Sequence, residues 1–131
     1  MEPCNAQQTL EAFFAAFNAQ DSATMEALLA PDFVIHEADG LPYAGTYRGF
    51  AGWMDLLGKI GATWEGLTPT IRHFIGDGQR YAILMDLTLT ARATGRTIET
   101  SIFELWTVEA GKIREVRPFY WDTKAVAALA A

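Results

Sequence analysis

The hydrophobic pattern changes period at Thr68, and this switch constrains the fold more than any other feature of the chain. Before it, apolar residues recur at helical spacing; after it, they alternate. Helices first and strands second indicate an α+β domain. In the second half, Ile83, Met85, Leu87 and Leu89 alternate with Leu84, Asp86, Thr88 and Thr90. Successive strand side chains point to opposite faces, so this segment is a long strand with one apolar side. Gly76-Asp77-Gly78 is a tight-turn signal between strands over 68–75 and 80–91. Thr94-Gly95 leads into a strand over 98–108, and Glu109-Ala110-Gly111 into one over 112–121. Strands joined this way form an antiparallel meander.

In the first half, Leu10, Phe13, Phe14 and Phe17 fall on one face of a helix over 6–19. Asp21 or Ser22 caps a second helix, which carries Met25, Leu28 and Leu29 inward and ends before Pro31. A strand over 33–37 follows, then a loop rich in breakers from Asp39 to Gly49. A third helix over 50–60 puts Trp53, Leu56, Leu57 and Ile60 on one stripe. Thr123 caps a short alanine-rich helix at the end. The 131 residues, half of them hydrophobic, suit a single domain over 1–131 with a substantial core. The expected architecture is three N-terminal helices on the concave face of a curved, mainly antiparallel sheet, plus a short C-terminal helix.

A net charge of −6 without any run of Lys or Arg argues against nucleic acid and anionic membranes as partners. No apolar run approaches the ~20 residues that cross a bilayer. Cys4 is the only cysteine, so no intramolecular disulfide forms, and the start Met1-Glu2-Pro3-Cys4-Asn5 lacks the pattern of a secretion signal. The expected location is cytoplasmic. His36 and His73 have no metal-ligand spacing, and no metal site is predicted. Gly-x-Ser-x-Gly, Walker and dinucleotide motifs are absent, so no cofactor is expected either.

The most informative single residue is Glu37. Phe33, Ile35 and Glu37 share one parity, so a strand that buries the first two buries the third. Burial disfavours the ionised carboxylate and raises its pKa, which suits a proton-transfer base. Alternatively the strand ends at His36 and Glu37 lies in the solvated loop. His36 points the opposite way, and His73 reads as structural. In the last strand, Val116, Pro118, Tyr120 and Asp122 share one face, so Tyr120 and Asp122 can reach the interior that Glu37 faces. Asp122 has a second reading, as a cap of the final helix beside Thr123. The strand before it carries large apolar groups on both faces. An outer face with Trp106, Phe119 and Trp121 predicts a homodimer, the rival being cover by the C-terminal helix.

Several local signatures then converge. The stretch from Phe13-Phe14 to Asn18-Ala19-Gln20-Asp21, then Leu28-Leu29-Ala30-Pro31-Asp32-Phe33-Val34, resembles the opening of the NTF2-like superfamily, closest to its SnoaL-like and ketosteroid-isomerase-like branch. Tyr47-Arg48-Gly49 and Gly111-Lys112-Ile113 are further marks of it. The resemblance spans nearly the whole chain and implies a cone-shaped α+β barrel with a deep apolar cavity, commonly a homodimer. Fold alone does not give function. In the steroid isomerases a carboxylate base near the end of the first strand shuttles a proton, and Glu37 falls on that position. Their hydrogen-bond donors to the dienolate, a tyrosine and a protonated aspartate, correspond here to Phe13 and Phe103. Losing one such donor costs roughly 3–4 kcal/mol, so steroid isomerisation is disfavoured. The base of the polyketide-cyclase branch corresponds to Pro118, which cannot serve.

Three readings result. The first is a cofactor-independent isomerase, cyclase or lyase acting on a small hydrophobic molecule. Glu37 moves the proton, assisted by Asp122, and Tyr43, Tyr120 or His36 supply hydrogen bonds. Phe13, Phe17, Trp53, Leu56 and Phe103 form the walls. The second is a binding protein whose pocket holds a hydrophobic ligand unchanged. The third is a dimeric scaffold whose cavity is filled by its own side chains.

Overall fold

The computed structural model describes residues 6–131, so the readings that rest on Cys4 and on the first five residues lie outside it. Three helices alternate with the first strands: α1 (Ala6–Asn18), α2 (Ser22–Leu28), β1 (Leu29–Glu37), β2 (Gly45–Arg48) and α3 (Gly49–Thr63). The meander follows as β3 (Trp64–Gly76), β4 (Arg80–Ala91), β5 (Thr97–Glu109) and β6 (Lys112–Tyr120), and α4 (Thr123–Ala130) ends the chain. Together β1 to β6 form one mixed sheet in the order β2-β1-β6-β5-β4-β3. Only β1 and β6 pair in parallel. This is the expected α+β architecture.

β1 begins at Leu29, a residue expected on the second helix, and α3 runs on to Thr63 rather than ending at Ile60; two further differences bear on the site. The breaker-rich segment after Asp39 contains β2, which pairs with β1 from Val34↔Arg48 to Glu37↔Gly45. Four residues starting with glycine and largely exposed carry no alternation to read. Pairing with β2 extends β1 through Glu37, so the residue belongs to the strand and not to the loop. The second difference is β3, which starts at Trp64, four residues before the period visibly changes.

Phe13 packs its ring 5.3 Å from Trp53 and 5.9 Å from Trp106, and Phe33 lies 6.2 Å from Trp53. This aromatic cluster joins α1, α3, β1 and β5. Leu10, Leu56, Ile83, Leu89, Ile113 and Val116 complete the core with no exposed surface. At Gly52, α3 crosses β2 so closely that a Cβ would lie 2.9 Å from the Tyr47 carbonyl carbon. The two-residue loop between β5 and β6 has positive φ at both Ala110 and Gly111, which matches the twist of a hairpin.

The faces of β5 are the reverse of those expected. Trp106 is buried and pairs with Val116 on the inner face. Phe103, expected in a cavity wall, lies on the outer face opposite Phe119, and 42% of it is exposed. With large apolar groups on both sides, parity shows which residues share a face but not which face turns inward. Val126 and Leu129 anchor α4 in the main core, so α4 leaves Phe103, Phe119 and Trp121 uncovered.

Candidate functional site

Glu37 ends β1 with 7% of its surface exposed, and its Oε1 is buried without a hydrogen-bond partner. Burial, and secondly the charge of Glu104, push its pKa up to about 8. A carboxyl held this way keeps its proton at neutral pH and becomes a strong base once deprotonated.

Sequence reading missed Glu104. It lies on the inner face of β5, with Pro118 of β6 as its neighbour. The β1–β6 ladder ends at Ile35↔Val116, and beyond it Glu37 and Pro118 line the same pocket. The two carboxyls are close enough for the charge of Glu104 to act on Glu37. The Trp106 indole donates to Glu104 Oε1 at 3.1 Å and lowers its pKa, but burial outweighs this and pushes it up to about 7. Glu104 is half-buried on this face.

A second polar chain lies nearby. Trp64 donates its indole N–H to the Tyr43 hydroxyl at 2.9 Å, and the Tyr43 and Tyr120 hydroxyls share a hydrogen bond of 2.9 Å. Burial raises the pKa of both tyrosines, and negative charge nearby adds to it, so both stay protonated. The Tyr47 hydroxyl donates to the Tyr43 carbonyl at 2.8 Å and holds the turn that carries Tyr43. If Tyr43 donates its own proton to Tyr120, the Tyr120 O–H remains available to a bound molecule.

A pocket of about 330 Å³ opens at this end of the sheet, where Glu37, Pro118 and Tyr120 meet the outer residues His36, Arg117 and Phe119. The β1–β6 ladder ends at Ile35↔Val116 while the β5–β6 ladder runs on through Pro118 to Tyr120, and the pocket lies beyond the end of the first.

Of the residues expected to form the site, Glu37 and Tyr120 line this pocket and Tyr43 supports Tyr120 from behind. Phe13, Trp53 and Leu56 are buried in the core beyond it. Phe17 sits at the margin of the aromatic cluster, 40% exposed, and Phe103 faces outward. Asp122 is exposed and caps α4, its carboxylate accepting from Ala125 N at 3.0 Å. It takes the place expected of Thr123 and does not line the pocket. His36 points outward, with Nε2 2.7 Å from Glu115. Among the described residues there is no cluster of three metal-ligating side chains, and no helix is long and apolar enough to cross a membrane.

The family model described as SnoaL-like domain matches residues 10–116. Among solved structures, an NTF2-like protein from Burkholderia thailandensis E264 is 30% identical, with a TM-score of 0.87 over 100% of this chain and 99% of that one. TerC, co-crystallised with polyporic acid, is 23% identical with a TM-score of 0.84, covering 95% of this chain and 97% of its own. A protein from Jannaschia sp. CCS1, provisionally assigned as a SnoaL-like polyketide cyclase, is 15% identical with a TM-score of 0.76, over 100% and 96% of the two chains. At these two lower identities the likeness is one of fold. No curated protein matches the sequence.

Proposed function

We propose that this chain, which belongs to the SnoaL-like domain family, is a cofactor-independent enzyme that moves a proton on a small enolisable molecule, with Glu37 as the base. The observation that carries this reading is the unpartnered Oε1 of a buried glutamate at the wall of an open pocket. Leaving a buried carboxyl oxygen without a partner costs roughly 1–3 kcal/mol or more, and a fold under selection for stability alone would fill or bond such a site.

The chemistry follows from the two polar groups that line the pocket. Deprotonated Glu37 takes a proton from the carbon next to a carbonyl, and the C–H electron pair moves onto the carbonyl oxygen as an enolate. The Tyr120 hydroxyl donates a hydrogen bond to that oxygen, and Trp64 and Tyr43 polarise it from behind. The enolate then regains the proton at another carbon, attacks a second carbonyl, or expels a leaving group. These outcomes are isomerisation, cyclisation and elimination. Glu104 acts through Glu37: its charge holds the Glu37 proton more tightly and makes the departing form more basic. The ligand named with TerC and the cyclase assignment of the Jannaschia protein accord with a substrate of this kind.

Proton–deuterium exchange at the acidic carbon of small diketones, followed by NMR, tests the proposal. Wild type should accelerate exchange, and Glu37→Gln should lose it. Binding without exchange in wild type would instead favour a passive pocket for a hydrophobic ligand.

The outer sheet face supports a second copy as partner. Leu84, Phe103 and Phe119 form one row across β4, β5 and β6, with Leu105 beside it and Trp121 84% exposed at its end. An uncovered row of this size on an otherwise charged surface is characteristic of a subunit interface.

A further inference from the structure

The pocket has a charged mouth that proton abstraction at Glu37 does not require. Where the β1–β6 ladder stops, the inner wall offers Glu37, Pro118 and Tyr120, and the outer wall offers Arg117 and His36. Arg117 follows Val116, the last residue of β6 paired with β1, and lines the pocket together with His36. The two differ in how their polar groups are used. His36 is fully engaged, with Nε2 2.7 Å from Glu115 Oε2 and Nδ1 3.4 Å from Thr46 Oγ1. Glu115 is thereby committed to the imidazole. The Arg117 guanidinium comes no nearer to the same oxygen than 3.8 Å, beyond hydrogen-bond reach. Among the described residues it forms this ion pair with Glu115 and no hydrogen bond, so its N–H donors at the mouth are open to a hydrogen-bonding ligand.

We propose that Arg117 is a specificity-determining residue that binds the carboxylate of an acidic substrate, so that the molecule enters between β1 and β6 with its anionic end outside the sheet and its enolisable carbon at Glu37. This rests on the proton-transfer reading of Glu37. Two features point the same way. A planar guanidinium fork matches a carboxylate with two parallel hydrogen bonds. The inner end of the pocket offers the Glu37 carboxyl and the Tyr120 hydroxyl and no cation, which fixes the direction of entry. Two acids oppose anion binding here: Asp39, exposed in the pocket lining, and Glu115, whose Oε2 lies 3.8 Å from the Arg117 guanidinium. The chain's net negative charge acts over a longer range and is screened within about 8 Å at physiological salt, so the local guanidinium dominates at contact distance.

Acetylacetone and acetopyruvate present the same acidic methylene, and only the second carries a carboxylate. Their dissociation constants and methylene deuterium exchange are measured by NMR for wild type, Arg117→Ala, Arg117→Lys, Asp39→Asn and Glu37→Gln. Wild type should bind acetopyruvate tighter by roughly tenfold or more, the size of a charge-assisted hydrogen bond. Arg117→Ala should remove most of that preference by raising KM with little change in kcat. Arg117→Lys should keep part of it, and Asp39→Asn should increase it. Glu37→Gln should keep the binding preference and lose exchange. No preference in wild type, no binding of acetopyruvate, or a preference unchanged in Arg117→Ala overturns the assignment of Arg117. A preference that depends on Arg117 without exchange in wild type supports the anion site and sinks the proton-transfer reading instead.

Discussion

β1 and β5 each bring a glutamate to the interior, but they hold it in different ways. Glu37 stands at the last position of its strand, where the ladder opens, and one of its oxygens has no partner. Glu104 stands mid-strand between Ile102 and Trp106 on the inner face and takes a hydrogen bond from the Trp106 indole. Position along the strand separates their tasks. A carboxyl at an open strand end can meet a substrate, and one held mid-strand with a fixed donor is suited to setting the electrostatic field around it.

The sharpest way to break this comparison is to neutralise each carboxyl in turn. Glu37→Gln should reduce catalysed exchange by about 10²–10⁴-fold, the usual contribution of a general base. Its stability should change with the opposite sign. The native pKa of Glu37 lies above its unfolded value, so the native state holds the extra proton between about pH 4.5 and 8. Wild-type stability therefore falls as pH rises through that window. Glu37→Gln removes the penalty, and its melting temperature should exceed wild type by several degrees at pH 9 and differ little at pH 4. A variant destabilised at pH 9 would refute the buried, uncompensated charge.

The two faces of β5 come next. Trp106→Ala should cost about 3–5 kcal/mol in denaturant unfolding, because it empties the centre of the aromatic cluster. Phe103→Asp should leave the monomer fold intact and convert a dimer to a monomer in sedimentation velocity. Equal destabilisation by both substitutions would contradict the inward turn of Trp106. Glu104→Gln is a smaller effect of a different kind. It removes the charge that raises Glu37, so the acid limb of the pH–rate profile should move to lower pH while exchange persists. The smallest effect belongs to Asp122→Ala, which should cost about 1 kcal/mol through loss of a helix cap and leave the exchange rate unchanged.

The same comparison shows what was legible in the chain. In β1 the inner parity is Phe33, Ile35 and Glu37, set against Val34 and His36, and the outward turn of a histidine fixes the inward turn of the glutamate. In β5 both parities are bulky, and Glu104 stays hidden until the inner face is known. A weaker signal was present: Ser101 and Thr107 share the parity of Phe103, and Ile102, Trp106 and Val108 share that of Glu104. The more uniformly apolar set is the buried one. Helix positions and the β4 strand followed directly from periodicity. β2 did not, because four residues beginning with glycine and paired at a sheet edge leave no pattern.

The parallel seam between β1 and β6 has a consequence for how the protein comes into being. His36 and Glu115, which meet across it, are 79 residues apart in the chain, so the whole stretch between them must leave the ribosome before they touch. Until then Glu37 has only β2 as a strand neighbour and stands in water, an ordinary carboxylic acid with an ordinary affinity for protons. Its basicity arises when the last strand docks. The raised proton affinity of the reactive group is thus a property of the assembled sheet and not of the residue.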